Sequence, residues 1–149
     1  MNGTIVSVNI CEKKGERKKP VPEAVIREGY GIEGDGHASS ETHRQVSLLA
    51  IESVRKMQAL GLNVRPGDFA ENITTEGLDL AGLPLSTRLR IGKDVIGEVS
   101  QIGKECHTRC AIFYQAGDCV MPKEGIFIRI TSGGKIRTGD EIIVLTGPE

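Results

Sequence analysis

What most constrains this chain is the regular punctuation of short β-branched stretches by glycine. Residues 4–11 (TIVSVNIC) place apolar and polar side chains in near alternation, the period of a half-buried strand. Comparable runs stand at 24–27, 45–49, 87–91, 95–102, 126–131 and 141–145. Turn formers separate them: Gly92-Lys93-Asp94, predicted to close a hairpin, a Gly133-Gly134 turn and a Gly139-Asp140 step. One segment changes period. Ala50, Val54, Met57 and Leu60 are spaced to share a helical face, and Gly61 is placed to end that helix. Residues 65–77 read as a long turn-rich region. About seven strands and one helix, with no linker or repeat, predict one domain over 1–149. The expected architecture is mainly β: a closed or nearly closed β-barrel with one or two short helices, because closure removes exposed strand edges.

A chain of 149 residues buries roughly two-thirds of the surface it exposes when unfolded, so it needs no disulfide or structural metal for ordinary stability. Its net charge of −1 leaves no footprint for a polyanion, and aromatic residues make up only 3%, too few for a base-stacking platform. Nucleic acid is therefore not an expected partner. No apolar run approaches the roughly 20 residues of a membrane span. The opening Met1-Asn2-Gly3-Thr4 is unlike a secretion signal, and the expectation is a cytoplasmic protein whose four cysteines are reduced thiols.

Three of those cysteines, Cys106, Cys110 and Cys119, fall in one segment, while Cys11 stands far from them. Around Cys106 the sequence reads Gly103-Lys104-Glu105-Cys106-His107-Thr108-Arg109-Cys110. The thiolate is the nucleophilic and metal-binding form of cysteine, and cationic neighbours such as Lys104, His107 and Arg109 favour it. Three readings stay open at this point: small buried core residues, a zinc site drawn from Cys106, Cys110, Cys119 and His107, or one reactive or metal-bound thiolate at Cys106. The Cys-x3-Cys spacing differs from the usual paired Cys-x2-Cys of zinc sites.

Two further segments offer polar groups. Gly34-Asp35-Gly36-His37-Ala38 and His43-Arg44-Gln45-Val46-Ser47 bracket a loop entering a strand, and the planar fork of Arg44 suits phosphate or carboxylate. The stretch from Pro66 to Gly77 supplies Asn72 and two threonine hydroxyls, which serve equally for a ligand or for turn hydrogen bonds. The basic run Lys13-Lys14-Gly15-Glu16-Arg17-Lys18-Lys19-Pro20 reads as a solvated loop, with an anion-attracting lip beside a pocket as the alternative.

Taken in order, these segments resemble the MOSC family, named for the C-terminal domain of molybdenum cofactor sulfurases. The likeness continues through Leu83-Pro84-Leu85-Ser86-Thr87, through Gln101-Ile102 into the Cys106 segment, and through Gly117-Asp118-Cys119-Val120-Met121-Pro122-Lys123-Glu124-Gly125-Ile126-Phe127, covering nearly the whole chain. It implies a barrel-like β fold that binds molybdenum cofactor (molybdopterin), a pterin dithiolene with a terminal phosphate. Cys106 matches the cysteine that ligates molybdenum in metal-bearing members, in keeping with thiolate as a soft ligand. His37, Arg44, Gln45, Asn72, Lys104, His107 and Arg109 are then the implied cofactor-binding residues. The implied roles are cofactor sulfuration, storage or delivery, with a sulfur donor or acceptor molybdoenzyme as partner. A small molybdoenzyme reducing N-hydroxylated compounds with an external electron donor is the alternative, and a non-enzymatic zinc-binding scaffold a third. The sequence has no counterpart of the N-terminal barrel domain or the pyridoxal-phosphate desulfurase domain found in sulfurases. Complete desulfurase activity is accordingly not expected of these residues alone. The Cys106–Cys110 spacing also departs from the Cys-x2-Cys of the amidoxime-reducing relatives.

Overall fold

Strand β1 (Asn2–Ile10) is long enough to serve three partners, and the barrel is organised around it. The computed structural model describes residues 2–13, 18–103 and 124–145. The start of β1 pairs antiparallel with β11 (Glu141–Val144), its middle with β6 (Ile73–Glu76) and its end with β2 (Lys19–Val21). From β11 the hydrogen-bonded order runs through β7 (Arg88–Ile91), β8 (Val95–Ile102), β9 (Ile126–Ser132), β5 (Val46–Ala50) and β6 back to β1. Seven strands thus close a barrel, with β2 added at its rim. A separate three-stranded sheet joins β3 (Glu23–Arg27), β4 (Gly31–Ile32) and β10 (Gly134–Arg137). The expected barrel and hairpin are present: β7 and β8 pair antiparallel across Gly92-Lys93-Asp94.

β5 and β6 are the parallel pair, so the chain must cross over between them, and α1 (Ile51–Ala59) lies in that crossover. β5 is buried on both faces. Val46, Leu48 and Ala50 point into the main core with Ile73, Ile91, Val99 and Ile128, whereas Leu49 packs with Val54, Met57 and Phe69 beneath the helix. Each of these side chains larger than alanine contributes about 1.5–3 kcal/mol of burial.

Two expectations are corrected. Leu60 does not join the helix's buried face: the helix ends at Ala59 and Leu60 caps it, 64% exposed. Gly61 follows with φ of +91°, the left-handed geometry that stops a helix. The region 65–77 is not turn throughout, because Ile73–Glu76 forms β6. Its Ile73, Thr74 and Thr75 are all buried between β1 and β5, and such a two-sided strand lacks the alternation that marks a half-buried one. Among the described residues no helix is long and apolar enough to cross a membrane.

Candidate functional site

At the end of β1 the loop after β4 folds back onto Cys11. Gly36 makes this approach feasible: its N–H donates to the Cys11 carbonyl at 2.6 Å, and a Cβ there would lie 2.8 Å from the Lys13 backbone. Asp35 is thereby buried, and its Oδ1 accepts from the Cys11 N–H at 3.1 Å and from the Lys18 ammonium at 2.7 Å. Lys18 Nζ also lies 3.1 Å from His37 Nδ1 and 3.4 Å from Cys11 Sγ. Burial by itself pushes the Asp35 carboxyl up, but the hydrogen bond and charge of Lys18, with the Cys11 N–H, outweigh it and hold it below its ordinary value. The basic run is therefore not simply a solvated loop. Lys18 is 3% exposed, with its charge committed to Asp35.

Behind this cluster a polar network ties β1, β5 and β6 together. Asn72 Oδ1 accepts from the Ser47 N–H at 3.0 Å, and its Nδ2 donates to the Asn9 carbonyl at 3.2 Å. Asn9 Nδ2 reaches the Glu71 carbonyl and Thr74 Oγ1, and Thr74 Oγ1 donates to Glu71 Oε2 at 2.9 Å. Glu71 is fully buried, and loss of water pushes its carboxyl above the ordinary value despite these hydrogen bonds. Ala70 beside it holds φ of +66°, unusual for a residue with a side chain.

Arg44 occupies the opposite lip. Its Nε donates to Gln101 Oε1 at 2.9 Å, and its guanidinium lies 5.6 Å from the centre of the Phe127 ring. His43 Nε2 shares the same Gln101 oxygen at 2.7 Å. A bulge sets this up: Val99 and Gln101 face Ile128 and Phe127, so Ser100 is extra, and its hydroxyl donates to the His43 and Phe127 carbonyls. Gln101 in turn donates to the Gly103 carbonyl at 2.7 Å, and the Gly103 N–H donates to the Gly125 carbonyl.

Between these lips opens a cavity of about 290 Å³, lined among others by Lys18, His37, Thr42, Arg44, Asn72 and Phe127. His37 and Arg44, which flank one loop, are thus brought together with Asn72 from a distant segment, although the Asn72 amide is spent on Ser47, Asn9 and Asp35 and shapes the wall. Gln45 is not with them. It is buried, with Oε1 accepting from the Ile130 N–H and Nε2 donating to the Thr42 carbonyl. Cys106, Lys104, His107 and Arg109 lie outside the described residues, as do Cys110 and Cys119. A larger cavity of about 440 Å³ beside α1 receives none of the expected residues. Its Lys56 and Ser53 are both bonded to Glu124, at 2.7 and 2.6 Å.

The family model for the MOSC domain matches residues 34–143, from the Asp35 loop to β11. This chain belongs to the MOSC domain family. Solved structures agree on the fold. YuaD from Bacillus subtilis superposes on the MOSC chain with a TM-score of 0.79 at 19% identity, covering 95% of this chain and 94% of its own. YiiM from Geobacillus stearothermophilus gives 0.69 at 20% identity over 96% of this chain and 75% of its own. YiiM from Escherichia coli gives 0.68 at 20% identity over 100% of this chain and 72% of its own. No curated protein sequence matches this chain. Lys18 and Phe127 also line the cavity of this MOSC domain, Gln101 holds Arg44, and Cys11 and Asp35 stand behind Lys18; none of these five was expected as a site residue. Asp35, Gln101 and Phe127 stand inside segments that carry the family resemblance, and Lys18 inside a charge run. For Cys11 no sequence signal marked a role, because its partners Asp35 and His37 are distant in sequence.

Proposed function

We propose that this MOSC-domain protein binds molybdenum cofactor in the cavity between His37 and Arg44 and acts in its sulfuration, storage or delivery through the thiolate of Cys106. The observation that carries this reading is the position of Arg44. Gln101 and Phe127 hold it at the cavity lip, on the strand end that leads through Gly103 towards Cys106. Cys106 follows Gly103 by three positions, so chain length alone keeps their Cα atoms within roughly 11 Å of each other.

The donor set fits such a ligand. Arg44 has no partner for its terminal nitrogens among the described residues and suits a phosphate through paired donors. Thr42 and His37 add groups for the donor and acceptor edge of a pterin, and Phe127 adds an apolar face. A volume of about 290 Å³ stands at the small end for a ligand site, enough to hold the pterin or the phosphate end of the cofactor. When bound, the metal and its dithiolene supply the redox and sulfur chemistry. The chain's own part is to bind the anionic end at Arg44, orient the ring against Phe127, and present Cys106 as a soft sulfur ligand or persulfide carrier.

The test is titration of metal-free molybdopterin into the purified full chain. Saturable one-to-one binding supports the reading, and its absence at pterin concentrations far above the protein's overturns it. Cofactor-loaded protein with a chemical reductant and an amidoxime then distinguishes a carrier, which leaves the substrate intact, from a small molybdoenzyme, which consumes it.

A further inference from the structure

We infer that Cys11, Asp35 and His37 form a site for a divalent cation of zinc's class, for which the Lys18 ammonium is a built-in competitor. The spacing carries the argument. Cys11 Sγ lies 3.7 Å from His37 Nδ1 and 3.8 Å from Asp35 Oδ1, and the three ligand atoms all lie within 4.8 Å of one another. With Zn–S near 2.3 Å and Zn–N or Zn–O near 2.0–2.1 Å, tetrahedral geometry puts sulfur about 3.5–3.6 Å from each lighter donor. Both sulfur edges of the triangle therefore stand within a few tenths of an ångström of zinc dimensions.

The donor types narrow the ion. One thiolate, one imidazole and one carboxylate suit a borderline-soft metal, whereas calcium and magnesium select all-oxygen sets. Three protein ligands with a fourth position left open is the arrangement of non-structural zinc sites. Here that position faces the cavity, since Lys18 and His37 both line it.

The triangle already selects a cation. Lys18 Nζ caps it at 2.7 Å from Asp35, 3.1 Å from His37 and 3.4 Å from Cys11. Metal entry releases the Cys11 thiol proton to solvent and moves the ammonium out into the cavity. The site goes beyond the cofactor reading, which rests on Arg44 and Cys106. The two share His37 and the cavity wall at Lys18 but not Cys11 or Asp35, so loss of the cobalt band in Cys11→Ser and loss of pterin binding in Arg44→Ala report on them separately.

Cobalt(II) is the probe, read through thiolate-to-cobalt charge-transfer absorption of the full chain. Wild type is expected to show the band, Cys11→Ser to lose it, and the combined Cys106→Ser, Cys110→Ser and Cys119→Ser variant to keep it. Lys18→Met is expected to tighten cobalt binding about tenfold or more, because no ammonium has to be displaced. If Lys18→Met does not fold, the other three proteins decide. A band that survives Cys11→Ser, or that is missing from the folded triple serine variant at millimolar cobalt, overturns the site.

Discussion

The ammonium of Lys18 lies 2.7 Å from a carboxylate oxygen of Asp35, and each side chain is about 1% exposed. Two charges withdrawn from water this completely depend on each other. Removing one partner, by Lys18→Met or Asp35→Asn in metal-free buffer, is expected to cost about 3–5 kcal/mol in urea denaturation. The double substitution is expected to cost well under the sum of the singles, because no buried charge is left alone. Additive costs in that cycle would mean that the two groups do not interact.

Asp35 and Glu71 have opposite pH signatures. Asp35 is held below its ordinary value, so its contribution is present above about pH 3.8 and is lost as pH falls through its lower folded value. Glu71 is raised, so its contribution is complete below about pH 4.5 and is lost as pH rises through its folded value. The carboxyl accepts from the backbone N–H groups of Gly67, Glu71 and Phe69 and from Thr74 Oγ1, and Glu71→Gln removes the buried charge while keeping one oxygen to accept. It is expected to be stabilising relative to wild type at neutral pH, with the difference shrinking towards pH 4. Denaturation midpoints across that range check this, and a pH-independent difference would contradict it.

Arg44 and Gln101 should separate binding from folding. Arg44→Ala removes the guanidinium from the cavity lip and is expected to weaken molybdopterin binding about tenfold or more. Gln101→Ala leaves the charge but releases its hold, with a smaller loss of several-fold. Both are expected to stay within about 1 kcal/mol of wild-type stability, because both bonds to Gln101 are solvent-exposed. Binding curves beside unfolding curves distinguish this from a general loss of structure.

Leu48 and Leu60 are both leucines with opposite roles. Leu48 is fully buried in the barrel core, and Leu48→Ala is expected to cost about 2–5 kcal/mol. Leu60 is 64% exposed at the helix cap, and Leu60→Ala is expected to change stability by no more than about 0.5 kcal/mol. Calorimetric midpoints of the two variants give the comparison.

These contrasts mark what the sequence could and could not convey. The half-buried strands announce themselves by alternation, and β8 is legible to the residue as Val95–Ile102. β6 is not, because Ile73, Thr74 and Thr75 are buried on both faces and read like a loop rich in hydroxyls. Leu60 has helical spacing, but the left-handed Gly61 ends the helix before that spacing counts. In the site, His37 and Arg44 stand in segments whose residue types already suggest a ligand, and the fold brings them to one cavity. Gln45 sits in the same segment, yet its place just before β5 turns it to the backbone of β9. Cys11, Lys18 and Gln101 draw their roles from partners 24, 17 and 57 positions away, which no local pattern records.

Cofactor binding by Cys106 and the cavity at His37 and Arg44, as proposed, has a direct readout in composition. The most direct test is the molybdenum and pterin content of the full chain from a molybdenum-replete host, wild type beside Cys106→Ala. Molybdenum and pterin in near-stoichiometric amount in wild type, with the metal lost from Cys106→Ala, is the predicted result. Equal metal in both proteins, or none in either after reconstitution with free cofactor, would contradict it.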